Sequence, residues 1–143
     1  MITSVVLNAA VTSAPLSLEP ALAAVRSIDC GAVVSFSGVV RNHDGGKDVQ
    51  ELEYSAHPVA QQTMEEVAAE IAARHSGVRL WAGHRIGLLG IGDMALVVSA
   101  AAAHRNEAFT ACSELVDTIK ERVPIWKVQF FKDGSVEWAG AES

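Results

Sequence analysis

The apolar residues of this chain change their spacing repeatedly, and that alternation limits the folds open to it. Val5, Leu7, Ala9 and Val11 alternate with Ser4, Val6, Asn8 and Ala10, which is the period of a strand. Leu18, Ala21, Leu22, Val25 and Ile28 then recur at helical spacing, with Ser17 as N-cap and Gly31 as stop. Residues 32–40 are β-branched and apolar, a buried strand with Val34, Phe36, Gly38 and Val40 on one face. A polar, glycine-bearing loop covers 41–48, and 49–56 alternates again, with Glu51 and Glu53 opposite Leu52 and Tyr54. Pro58 suits the first turn of a second helix whose inner stripe is Met64, Val67, Ala68, Ile71 and His75. A strand near 78–85, a glycine-rich turn and a strand over 94–102 follow. The longest helical pattern is 104–123, burying Ala108, Cys112, Leu115 and Ile119 with Phe109 and Val116 beside them, and Pro124 ends it. Residues 125–132 and 135–138 flank Asp133-Gly134, a strong two-residue hairpin signal. The order β-α-β-β-α-β-β-α-β-β predicts an α+β fold, with helices packed on a mixed, mostly antiparallel sheet and a C-terminal β-hairpin.

Residues 1–143 are expected to form one domain, long enough to bury roughly two thirds of its unfolded surface. Half of the residues are apolar and 20% charged, which excludes a disordered or low-complexity chain. Eleven Lys and Arg against 17 Asp and Glu leave a net charge of −6. General binding to nucleic acid or to an anionic membrane calls for the opposite balance. Any anion site must therefore be a local pocket in an acidic surface. Cys30 and Cys112 have no paired spacing, so neither a disulfide framework nor a zinc ribbon is indicated and a reducing compartment fits better. Residues 1–18 are uncharged but lack a basic leader and are interrupted by polar residues, unlike a signal peptide. Gly87, Gly90 and Gly92 break the apolar stretch 86–103, which reads as a loop and a buried strand rather than a membrane span. A cytoplasmic protein without membrane contact is expected.

With cations scarce, their placement is informative. His104 and Arg105 open the long helix, where unpaired backbone N–H groups and the helix dipole favour an anion. The plainer alternative is a helix cap beside a solvent-facing arginine. Lys120 and Lys127 bracket Pro124. A lysine in the last helical turn commonly serves the dipole, and one on a strand can guard an edge. In desolvated or cation-crowded surroundings, however, an amine serves as acid, base or nucleophile. Arg41 leaves a buried strand at the mouth of the glycine loop, either as a turn residue or as part of a site. Gly45 and Gly46 lack the spacing of a phosphate loop. The histidines lack metal-ligand spacing, so His43, His57, His75 and His84 read as surface or core fillers, and Cys112 as core.

Four segments in order resemble the MoaE family, the large, catalytic subunit of molybdopterin synthase. They are Val34-Ser35-Phe36-Ser37-Gly38-Val39-Val40-Arg41-Asn42-His43; His84-Arg85-Ile86-Gly87 with Gly92-Asp93; Ala103-His104-Arg105 with Ala108-Phe109; and Asp117 and Lys120 with Pro124-Ile125-Trp126-Lys127. The resemblance covers most of the chain. It implies a sulfurtransferase whose partner is a small ubiquitin-like, MoaD-like sulfur carrier with a C-terminal Gly-Gly thiocarboxylate. Sulfur would pass to cyclic pyranopterin monophosphate, one atom per carrier, to give the dithiolene of molybdopterin. It further implies a homodimer carrying one small subunit at each end, a heterotetramer, and no metal or cofactor in this subunit. Lys120 and Lys127 would be catalytic; Arg41, His104, Arg105 and Phe36 would bind substrate. The arginine–histidine set is expected to converge on one anion site, with His104 and Arg105 able to reach it across the dimer. The chain departs from the family's usual pattern in having Gln129 for an acidic residue, His57-Pro58 for Tyr-Pro, and no arginine after Trp138. The alternative function is a non-catalytic module that binds or scaffolds the ubiquitin-like subunit.

Overall fold

Strand β7 (Met94–Ala102) runs through the middle of the molecule because apolar residues occupy both of its faces. In the computed structural model, which describes residues 3–139, it is preceded by β1 (Val5–Thr12), α1 (Leu18–Val25), β2 (Ala32–Val39), β3 (His43–Asp44), β4 (Lys47–Ala56), α2 (Ala60–Arg74), β5 (Arg79–Arg85) and β6 (Gly87–Gly90). It is followed by α3 (Arg105–Arg122), β8 (Ile125–Phe131) and β9 (Val136–Ala139).

The strands form two sheets. The first has the order β1-β5-β7-β2, in which only the β1–β5 pair is parallel. Leu96, Val98, Ala100 and Ala102 alternate onto the face covered by α2 and α3, joining Met64, Val67, Ile71, Leu115 and Ile119 in the main core. Val97 and Ala101 point the other way and are fully buried on the side that carries α1. The second sheet is built on β4, which pairs with β8 along its length and with β3 and β6 at its other edge; β9 lies beyond β8. A smaller core of Val40, Val49, Leu52, Leu89, Ala95 and Phe131 joins this sheet to the ends of β2 and β7. Among the described residues, no helix is long and apolar enough to cross a membrane.

The α+β architecture matches the sequence pattern, with local differences. The polar loop at 41–48 is a tight hairpin: Asp44 pairs with Lys47, and Gly45 and Gly46 take the positive φ values that such a turn needs. The glycine-rich stretch after Arg85 contains β6, whose Leu89 is buried against β4. Helix α1 ends at Val25, before Ile28, which is fully exposed. Arg26 is already extended, and Ser27 Oγ accepts the Asp29 N–H, a local bond that competes with another helical turn. Pro58 precedes α2 rather than lying inside its first turn. His75 leaves the inner stripe of α2; it stands at the C-cap and faces Glu114 at 3.0 Å. Phe109 is exposed because the buried stripe of α3 runs through Ala108, Ala111, Cys112, Leu115 and Ile119, one step around the helix from it.

Two substitutions test this packing. Leu115→Ala should cost about 2–5 kcal/mol in chemical denaturation, because the side chain is wholly enclosed between α3 and the first sheet. Gly31→Ala should destabilise as well, since its Cβ would lie 2.9 Å from the Ala103 carbonyl oxygen, a backbone atom with little room to move. Wild-type stability in either variant would contradict the packing described.

Candidate active site

A cavity of about 290 Å³ opens where the two sheets meet. Strand β2 leaves the first sheet there, past an irregularity between Gly38 and Val39. Its exit is held by Val40 N–H to Asp93 O at 3.0 Å and Gly92 N–H to Val40 O at 2.9 Å, and it delivers Arg41 to the rim. From the other side, α3 ends at Arg122 and Pro124 turns the chain into β8. The turn sets Lys120, in the last helical turn, and Lys127, on β8, around the same opening. Lys127 lies directly across from Tyr54 in the β4–β8 register, so the two side chains share a face. Three cations therefore meet in one cavity, and among the described residues no aspartate or glutamate lines it.

His84 and Tyr54 form the inner wall. Their rings meet edge to face, with centroids 5.2 Å apart. His84 Nδ1 lies 2.9 Å from the Arg85 carbonyl oxygen. A carbonyl only accepts, so Nδ1 carries the proton, and in the neutral ring the lone pair is on Nε2. Burial pushes the His84 pKa below the usual imidazole value; the hydrogen bond to Arg85 opposes this, and the nearby Lys120 ammonium adds to it. Burial also raises the Tyr54 hydroxyl. His84 was not among the site residues expected from sequence. Strand parity was the available signal, since it falls on the same face of β5 as Leu80 and Ala82, both fully buried.

Arg41 is steered by the hairpin that follows it. Its guanidinium lies 3.4 Å from Asp44 Oδ1, and Gln129 Nε2 donates to Asp44 Oδ2 at 2.8 Å. The Gln129 amide bond is the main cause that holds the Asp44 carboxyl below the usual carboxylate range; desolvation opposes it, and the charges of Arg41 and Lys127 add to it. Position 129 thus carries an amide, while Asp44 supplies a carboxylate beside it.

The remaining expected site residues lie elsewhere in the chain. His104 is the N-cap of α3 and Arg105 its first residue, both exposed and roughly 22 Å along the helix from Lys120. The sheet register leads to the same separation: Ala32 sits beside Ala102, next to His104, whereas Val39 sits beside Met94 at the Arg41 end. Within one chain, therefore, Arg41 does not converge with His104 and Arg105. Phe36 does not line the cavity. It packs against the main core and approaches the cavity through Gly38, where a Cβ would touch its ring at 3.4 Å. The stretch after Ala139, where the arginine is missing, lies outside the described residues.

The chain matches the family model described as MoaE protein over residues 11–122. It is 44% identical over 131 residues to the molybdopterin synthase catalytic subunit of a Nostoc species, covering 90% of this chain and 79% of that one. The crystal structure of molybdopterin synthase from Staphylococcus aureus superposes with a TM-score of 0.85 at 33% identity, covering 91% of this chain and 95% of that one. The protein–protein complex of subunits 1 and 2 of molybdopterin-converting factor from Helicobacter pylori shares the fold, with a TM-score of 0.63 at 22% identity, covering 78% of this chain and 73% of that chain.

The Asp44 arrangement has a signature in pH. A carboxyl whose folded pKa is depressed adds stability above its unfolded value, about 3.9, and loses it as pH falls through the lower folded value. Gln129→Glu should reverse this locally. Two facing carboxylates would share a proton with a raised apparent pKa, so stability relative to wild type should fall as pH rises from about 5 to 8. Denaturation across that range checks the sign; parallel curves for the two proteins would contradict the Gln129–Asp44 contact.

Proposed function

The chain belongs to the MoaE family, and from that premise we propose that it is the catalytic, large subunit of a molybdopterin synthase, a sulfurtransferase that builds the molybdopterin dithiolene. The observation that carries the reading to chemistry is the cavity itself. In a chain of net charge −6, Arg41, Lys120 and Lys127 line one opening that no carboxylate among the described residues lines. Such a site suits reactants that are all anions.

Two anions would meet there. One is the C-terminal Gly-Gly thiocarboxylate of a small ubiquitin-like carrier, and the other is cyclic pyranopterin monophosphate. The thiocarboxylate sulfur is already a nucleophile and needs no base. Lys120 and Lys127 would draw it in and protonate the oxygen released as the cyclic phosphate opens. Arg41, aimed by Asp44, would hold the phosphate. A second carrier supplies the second sulfur. His104 and Arg105 would complete the phosphate site from the second protomer of a homodimer, because their own chain holds them at the far end of α3. With one carrier at each end, the assembly would be a heterotetramer. Phe36 would support the substrate through Gly38 rather than by touching it. Free Cys30 and Cys112 suit a reducing cytoplasm.

The test is reconstitution: purified chain, thiocarboxylated carrier and cyclic pterin, with dithiolene product followed by mass. Two carriers should be consumed per product. Carrier binding without product would leave a scaffold in place of an enzyme. Lys120→Ala and Lys127→Ala should each lower turnover by about 10²–10⁴-fold, the usual size of an acid–base contribution. Arginine at either position should restore little, since a guanidinium keeps its proton. Arg105→Ala should raise KM for the pterin more than it lowers kcat, because the phosphate is held before and during reaction alike. Near-normal turnover in a lysine variant would remove that lysine from the mechanism.

A further inference from the structure

The sulfur-transfer reading leaves one step without a residue. After the sulfur attacks the pterin, the carrier's terminal carbonyl carbon is joined to that sulfur as a thioester, and water must free it. Water is a poor nucleophile without a proton acceptor. Arg41 keeps its proton, and the two lysines have been assigned to donation. His43 is exposed on the rim, with Nδ1 2.9 Å from the Asn42 side-chain oxygen. Tyr54 is a weaker acid than a free phenol because it is buried.

His84 differs from all of these. Its imidazole lines the cavity and is fixed by the bond from Nδ1 to the Arg85 carbonyl and by the edge of Tyr54. Nε2 has no hydrogen-bond partner among the described residues, and it is not among the fully enclosed unpartnered atoms, of which Arg85 Nε is the one found there. Nε2 is therefore left accessible, on a ring that lines the cavity. The titratable groups that share the cavity with the ring are Tyr54 on β4, Lys120 on α3, Lys127 on β8, Arg41 beyond β2 and His43 on β3. Arg85, next on its own strand, turns instead toward Asp93 at 3.5 Å. Burial and the neighbouring cation keep the ring neutral at pH 7, the state in which it accepts a proton.

We propose that His84 is the general base that activates water to release the spent carrier from the pterin sulfur. This rests on the sulfur-transfer reading above. In the step, a water proton passes to Nε2 and the water oxygen bonds to the carbonyl carbon. The carbon–sulfur bond breaks, and its electron pair leaves with the sulfur, which stays on the pterin as a thiolate beside the lysines. The carrier departs with a terminal carboxyl group. The imidazolium then returns its proton to the thiolate or to solvent, so the sum is thioester plus water giving acid plus thiol.

The experiment uses the full chain with thiocarboxylated carrier and cyclic pterin. His84→Gln fills similar space and bonds through its amide, but has no basic lone pair. Dithiolene formation should fall about 10²-fold or more. The carrier–pterin thioester should accumulate in denaturing mass spectra, with the first sulfur transfer at the wild-type rate. The wild-type kcat should lose activity on the acid side with a midpoint below the ordinary imidazole value of about 6.5; the variant should lack that limb. Wild-type turnover in the variant, or loss of turnover without thioester, would overturn the role of His84 alone. Wild-type protein that forms neither thioester nor dithiolene would overturn the sulfur-transfer reading and this step with it. Nitrogen-15 NMR of the wild-type imidazoles gives a readout that does not depend on the variant folding. His84 should be neutral at pH 7 with its proton on Nδ1, and a charged ring or a proton on Nε2 would overturn the proposal.

Discussion

Tyr54 stands directly across from Lys127 in the pairing of β4 with β8, and it packs against both apolar cores. The two sheets thus meet around one side chain, and the cavity is the space left beside it. If that pairing slipped by one residue, Lys127 would turn to the opposite face of the sheet and Trp126 or Val128 would take its place. The register is therefore what presents an ammonium group to the cavity. On the same side of the irregularity between Val49 and Glu51, Leu52 pairs with Gln129 and packs in the smaller core, in the register that holds Tyr54 against Lys127.

The cavity is electropositive within an acidic protein because of where three elements end. Strand β2 ends at the seam and releases Arg41; α3 ends there with Lys120; β8 begins there. The carboxylate paired with Arg41 is put to use, since Asp44 orients Arg41 and is itself held by Gln129. A neutral imidazole deeper in the same cavity adds an acceptor to a set of donors. In the proposed reaction, with its addition and its hydrolytic release, these groups would serve as proton donors and acceptor in one site without neutralising each other.

Much of this was legible in the residues. Periodicity located the three helices and the major strands, and Asp133-Gly134 placed the final hairpin. The pairing of Lys120 with Lys127 followed from Pro124, because a proline that ends a helix forces the next strand to turn back close by. Other features were hidden for identifiable reasons. Ile28 satisfies the helical spacing of α1, but the chain leaves the helix at Arg26, where a local Ser27–Asp29 bond competes with a further turn. Leu89 sits among three glycines that read as a turn, yet their backbone freedom lets a short strand fit against β4. His84 is a cavity residue through its face on β5, visible only when Leu80 and Ala82 are known to be buried. The separation of Arg41 from His104 depends on the β2–β7 register, which pairs residues far apart in the sequence, from Ala32 with Ala102 to Val39 with Met94, and has no local signature.

The central claim is that the seam between the two sheets receives the tail of a sulfur carrier. A crystal structure of the full chain with the ubiquitin-like carrier bound tests it most directly. The account predicts the carrier's terminal glycine inside the cavity, its carboxyl or thiocarboxyl group within hydrogen-bond distance of Lys120 or Lys127. A carrier tail seated elsewhere, with the seam closed or filled by side chains of this chain, would contradict it.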